Sequence, residues 1–158
     1  NYILILMILI RKVLYRNFVF IVGTPLETAK SLDKKRLNKQ IIECSQILKA
    51  LSGESDAWRN HPATKQYANY QFWLYDYMKC LMSYRDGNMF SAEMFSGACD
   101  LIKPEFHTQE YFDQMKRRLY TKNNEHYKQW KSLGESDINW YYVDGEWKHY
   151  KNGKLICD

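Results

Sequence analysis

Apolar and polar positions divide the chain into a short β-prone run, a series of amphipathic stretches and an aromatic tail. "FVFIV" (Phe18 to Val22) is β-branched and aromatic and predicts a short strand. Gly23, Thr24 and Pro25 break it, with no phosphate-loop pattern around them. Thr24 is placed to cap a helix, with Pro25 at its first position and Glu27 three residues on. Helical periodicity carries that helix from Pro25 to Leu51, where "SGESD" ends it. A second helix runs from Pro62 to Tyr84, capped by Asn60 or His61. Ser91 to Ile102 predicts a third helix, the stretch after Thr108 a fourth and "NNEHYKQW" a short fifth. In the tail, Asp144-Gly145 and Asn152-Gly153 read as hairpin turns between aromatic-rich runs. The expectation is a mainly α, single compact helical domain with a short N-terminal strand and a small C-terminal β-hairpin or meander.

The first long helix contains a departure from simple amphipathicity, in "LDKKRLNKQIIE" (Leu32 to Glu43). With Asp33 set at zero on a helical wheel, Ala29, Leu37, Cys44, Ile47, Leu48 and Leu51 fall within roughly 60° of it. Lys34, Lys35, Asn38, Ser45 and Lys49 lie on the opposite half, and Lys39 also points away from the stripe. Asp33 and Gln40 sit inside the apolar stripe, and Arg36 and Glu43 sit on its edge. Burying an unpaired charge costs several kcal/mol, about as much as a marginal domain can spare. These four groups therefore pair with one another or line a cleft. Two readings stay open: a buried network tying the helix to its neighbours, or a polar cleft wall carrying a carboxylate for acid–base work.

Composition narrows the field. A chain of 158 residues fits one domain with a real core. The formal net charge of +5 permits a polyanionic partner without requiring one. Aromatic residues make up 16%, with 13 Tyr and 5 Trp, so much ring surface must lie in the core, a site or an interface. Cys44, Cys80, Cys99 and Cys157 form no CxxC unit, which argues against a zinc site and for reduced core thiols. No metal or other cofactor is expected. The opening "NYILILMILI" is apolar but shorter than the roughly 20 residues a bilayer span needs. Charge follows that run instead of preceding it, the reverse of a secretory signal. Residues 1–16 are therefore expected to be an extension outside the fold, and residues 17–158 the domain, in a cytoplasmic protein with no stable membrane span.

Three segments together resemble a known family. "AKSLDKKRLNKQIIECSQIL", "WRNHPATKQYANYQFWLYDYMK" and "RDGN" are similar to the pyrimidine dimer DNA glycosylases, the endonuclease V-like proteins of phages, large viruses and some bacteria. The helix Leu-Asp-x-x-Arg-Leu-x-Lys-Gln-x-x-Glu and the Trp-x-x-His-Pro start of the next helix are the specific part. "KRRLYTKNNEHY" and "NWYYVDGEW" resemble later segments of the same group. The resemblance implies damaged duplex DNA as partner and an endonuclease V-like helical fold, in a bacterial or virus-infected host cell. It implies a mechanism in which an amine attacks C1′ of the damaged nucleotide and displaces the base. The resulting Schiff base then allows strand breakage by β-elimination. Glu43 matches the family's acid–base carboxylate, and Arg36 a basic position gripping the sugar-phosphate. In such enzymes the amine is the α-amino group of a processed N-terminus, here expected near Asn17 or Phe18. Lys39 is a substitute amine in principle. The alternative function is a non-catalytic nucleotide or nucleic-acid binder using the same basic-aromatic cleft.

Other residues are weighed for contact with DNA. Asp33, Lys39 and Gln40 belong to the polar helix face. Asn60 and His61 start the second helix, where His61 is more simply a cap than a catalyst. Tyr70, Leu74, Tyr77, Met78 and Leu81 keep core spacing, which leaves Tyr67 and Trp73 as candidates for base stacking. Lys116, Arg117 and Arg118 form the densest cationic run, a solvated face or a phosphate contact. Trp140 and Tyr141, near Trp147 and His149 in a lysine-bearing tail, suit stacking on bases.

Overall fold

A computed structural model describes residues 19–134, 140–143, 146–151 and 154–155. Six α-helices follow one another: α1 Pro25–Ser31, α2 Lys34–Leu51, α3 Pro62–Gln66, α4 Gln71–Arg85, α5 Met89–Leu101 and α6 Gln109–Lys122. A 3-10 helix covers Lys128–Leu133. Three short strands, β1 Trp140–Val143, β2 Glu146–Lys151 and β3 Lys154–Leu155, then pair antiparallel in the order β1-β2-β3. Trp140 faces His149 in the first pair, and Tyr150 faces Leu155 in the second. The turn residues Asp144-Gly145 and Asn152-Gly153 lie outside the described residues, as do the extension 1–16, Phe18 and Cys157.

The β-prone run is where the structure departs furthest from the pattern. Val19 to Val22 forms no strand and pairs with no other strand among the described residues. It threads the core, with Val19, Phe20 and Ile21 each 1% exposed. Side chains take the place of a ladder. The Phe20 amide donates to Gln40 Oε1 of α2 at 2.6 Å, and its carbonyl accepts from the Tyr77 hydroxyl of α4. Val19 O accepts from the Tyr111 hydroxyl of α6 at 3.4 Å, and the Val22 amide donates to Thr28 Oγ1 at 3.0 Å. Buried backbone groups need partners of some kind, and here helix side chains supply them.

The single helix expected from Pro25 to Leu51 is two. The capping box at Thr24 forms, with Glu27 N donating to Thr24 Oγ1 and Thr24 N to Glu27 Oε2, both at 3.1 Å. A Cβ on Gly23 would stand 2.1 Å from that same Oε2, so a side chain there would push the Glu27 carboxylate out of the capping box. The helix stops where Leu32 and Asp33 both turn extended (ψ 138° and 156°). Asp33 then becomes the N-cap residue of α2. The second predicted helix also splits, between Gln66 and Gln71. Its break is set by packing: Tyr67 is fully buried and stacks on Trp73 at 5.5 Å, so the chain bends to bring both rings into the core.

The remaining helices pack around this centre. α4 and α5 form an antiparallel hairpin, and α2 lies along α4. Leu37, Cys44, Ile47, Leu74, Tyr77, Leu81, Met115 and Leu119 join one core from three helices. Each such side chain, fully buried, contributes about 1.5–3 kcal/mol of hydrophobic stabilisation. Asn88 caps α5 and Thr108 caps α6, each through a side-chain oxygen accepting a backbone N–H at its N3 position. Cys44, Cys80 and Cys99 are buried free thiols. Among the described residues no helix is long and apolar enough to cross a membrane.

Candidate active site around Glu43

Glu43 is held by its own helix and by the threaded segment. Gln40, one turn earlier, is fully buried and bridges the two. Its Oε1 accepts the Phe20 amide, and its Nε2 donates to Glu43 Oε2 at 3.2 Å. This fixes the amide orientation, because Oε1 must accept and Nε2 must donate. The other carboxylate oxygen, Oε1, lies 3.6 Å from Lys39 Nζ, an ion pair longer than a hydrogen bond. Oε1 accepts no hydrogen bond among the described residues.

Burial dominates the electrostatics. Glu43 is 5% exposed, and loss of hydration pushes its carboxyl up to about 7. The positive fields of Lys39, Arg36 and Lys122, in that order, oppose the shift without cancelling it. The result is a carboxyl poised between its charged and neutral forms at neutral pH, the condition a proton relay needs. Arg36 is half-buried, with its guanidinium carbon 5.8 Å from the centre of the Phe20 ring. The fold therefore gathers Arg36, Lys39, Gln40 and Glu43 from α2, Lys122 from the end of α6, and the Phe20 backbone.

Lys39 departs from the sequence expectation. The wheel turned it away from the stripe, yet Nζ returns to Glu43 across one helical turn. The i,i+4 spacing already permitted this, since a four-carbon stem spans what an angle alone excludes. Lys122 was not singled out, because it stands beyond the denser cationic run before it.

Asp33 serves a different purpose from cleft lining. It is half-buried at the start of α2, where the Tyr127 hydroxyl donates to its Oδ1 at 2.5 Å and accepts its amide at 3.1 Å. Asn60 is exposed. His61 is buried and caps α3, its Nδ1 accepting the Ala63 amide at 3.0 Å. Tyr67 and Trp73 are core residues, 0% and 2% exposed, and offer no ring face to a base. Tyr67 instead shares a hydrogen bond at 2.9 Å with His107, whose imidazole burial drives down to about 3 and so keeps neutral.

The run Lys116-Arg117-Arg118 is neither a solvated face nor an open cationic patch. Arg118 is buried at 4% exposure, and Arg117 donates through Nε to Leu133 O at 2.8 Å. Lys116 pairs with Asp113 at 3.8 Å and borders a cavity of about 370 Å³ with Gly23, Lys103, His107 and Phe112. Glu43, Arg36 and Gln40 do not line that cavity. Trp140 and Tyr141 lie on β1, and their side chains are outside the described set. No group of three or more potential metal ligands occurs among the described residues.

The segment that holds Phe20, Gln40 and Glu43 is also the segment that matches a known family. Residues 19–84 match the family model of the pyrimidine dimer DNA glycosylases. The match supports the resemblance carried by the Asp33–Glu43 and Trp58–Pro62 motifs, and that family implies DNA repair with DNA as substrate. No curated protein matches the chain, and no solved structure matches it.

Proposed function

We propose that this protein is a DNA repair glycosylase with an associated abasic-site lyase activity, acting on pyrimidine dimers or related damage. The observation that carries the reading is the state of Glu43, a buried carboxyl raised to about 7 inside the matched segment. An amine must shed a proton to attack C1′, and the departing base must gain one. A carboxyl that is half protonated near neutral pH serves both needs. After attack the sugar ring opens, and C1′ stays joined to the amine nitrogen as a Schiff base. Loss of a C2′ proton then breaks the bond from C3′ to its phosphate oxygen. Arg36 beside Glu43 supplies a fixed guanidinium for a flanking phosphate. Gln40 keeps the carboxylate aimed while leaving one oxygen for proton transfer.

Borohydride reduction tests the reading. It should trap a covalent complex with duplex DNA containing a dimer or an abasic site. Glu43→Gln should lower strand cleavage by about 10²–10⁴-fold with binding largely kept, since only the proton relay is lost. Tight nucleotide binding without trapping or cleavage would replace the enzyme with a non-catalytic binding protein.

A further inference from the structure

We infer that the outer face of α5 is an interface between two copies of this chain, paired antiparallel about a two-fold axis. Ala92, Ser96 and Cys99 turn inward and are buried. Phe90, Met94, Gly97 and Leu101 recur at intervals of four, three and four residues, which places them on one stripe roughly opposite the buried face. Leu101, Phe90 and Met94 are 86%, 79% and 53% exposed. Phe72, also exposed, begins α4 at the same end as Leu101, because the Cys99 thiol donates to Trp73 O at 3.7 Å. Single exposed apolar side chains are ordinary on a protein surface, whereas a contiguous row marks a contact.

Gly97, the symmetry of the stripe and its charge select a second copy as the occupant. A Cβ on Gly97 would meet nothing within 4 Å, so no contact within the chain calls for a glycine, which weakens a helix interior. On an exposed stripe its bare backbone lets another helix come close. The stripe is also self-complementary. In an antiparallel pair centred between Met94 and Gly97, Met94 of each copy lies over Gly97 of the other, and Phe90 over Leu101. Charge agrees with that direction. Asp100 stands in the last turn of α5, where its own helix dipole disfavours an acid, and the first turn carries none. Antiparallel pairing sets Asp100 of each copy beside the N-terminus of the other's α5. It opposes no two acids, since Glu93 faces Ala98 and Asp100 faces Ser91. Phe72, Phe90, Met94 and Leu101 together bury about 500 Å² from each copy, which reaches the roughly 1,000 Å² total that a specific interface needs. The residues gathered around Glu43 belong to other elements, so each copy keeps its own site.

Sedimentation equilibrium of the full chain without DNA, over a concentration series, tests the interface. The parent should approach twice the mass of one chain as its concentration rises. Met94→Glu should raise the dimer dissociation constant by about a hundredfold, tenfold for each of the two symmetry-related contacts. Gly97→Ala should act in opposite directions at two levels. It should raise the unfolding midpoint of the dilute single chain, because alanine favours the helix, and weaken the dimer, because the added methyl holds the second helix away. A parent that stays monomeric throughout, or a dimer that either substitution leaves as tight as before, overturns the inference. A monomeric parent that Met94→Glu destabilises would mean that the stripe is covered from within the chain, by a segment such as residues 1–16, and overturns it as well. If Met94→Glu fails to fold by circular dichroism, the parent series and Gly97→Ala decide alone.

Discussion

The Tyr127 hydroxyl binds both ends of Asp33, accepting its amide and donating to its carboxylate across 94 residues of sequence. Asp33 has no side-chain bond to the first turn of α2, so Tyr127 does what a capping interaction within the helix does elsewhere. Tyr127 is 1% exposed and stacks on Trp130 with ring centres 5.4 Å apart. Tyr127→Phe keeps the stacking and removes only the hydroxyl. It should cost about 1–3 kcal/mol, the penalty for orphaning buried polar partners. Urea unfolding of the two forms measures it, and an unchanged midpoint would mean that the start of α2 is held by other contacts.

The raised Glu43 carboxyl makes a pH prediction whose sign is fixed. Between about 4.5 and about 7 the folded chain keeps a proton that the unfolded chain has released. This group's contribution is therefore most favourable below about 4.5, is lost as pH rises, and levels off above about 7. The full loss is about 3 kcal/mol. Glu43→Gln cannot ionise, so its stability relative to the parent should climb by that order across the same interval. Denaturant titrations at stepped pH give the difference, and a flat difference would mean that the carboxyl titrates as an ordinary one.

Gln40 joins two elements through one amide group, and its loss should be felt in both. Gln40→Met conserves size but leaves the Phe20 N–H without its acceptor and Glu43 Oε2 without its donor. A destabilisation of about 1–3 kcal/mol is expected. Removing a donor to the carboxylate should also raise the Glu43 carboxyl further. Thermal unfolding and carboxyl titration by NMR read the two effects separately. An unaltered titration would detach Gln40 from the relay.

Salt dependence separates DNA contacts from structural cations. Arg36→Ala should lower the slope of log affinity against log salt by about 0.9, the loss of one phosphate contact. Arg118→Ala should leave that slope alone and lower stability instead, because Arg118 is buried. Fluorescence anisotropy across a salt series measures the slope. A reduced slope for Arg118→Ala together with an unchanged one for Arg36→Ala would move the DNA path away from α2.

Local rules were legible where local chemistry decides. The Thr24 capping box, the Thr108 cap and the Pro62 helix start are read from neighbouring residues, and each forms. The concentration of polar groups on α2 was legible too, because charged residues on an apolar stripe conflict with the cost of burial. The helix breaks at Leu32-Asp33 and Tyr67-Tyr70 were not. Both depend on distant partners, Tyr127 for one and Trp73 for the other. The aromatic run from Tyr67 into α4 is misleading for a related reason. Tyr67 and Trp73 depart from helical core spacing because the helix itself is interrupted between them. Nothing local distinguishes Arg118, buried, from Arg117 beside it, half-buried.

The tetrapeptide Val19 to Val22 has the composition of an aggregation-prone strand, apolar and β-branched. An unpaired edge of that kind is a template on which other chains add. Here the Phe20 N–H and C=O both end on helix side chains, so the segment has no such edge to offer while Gln40 and Tyr77 stay in place. The helices that build the site thus also act as gatekeepers against self-association. Variants that loosen Gln40 or Tyr77 should lose solubility on mild heating before they lose their helices.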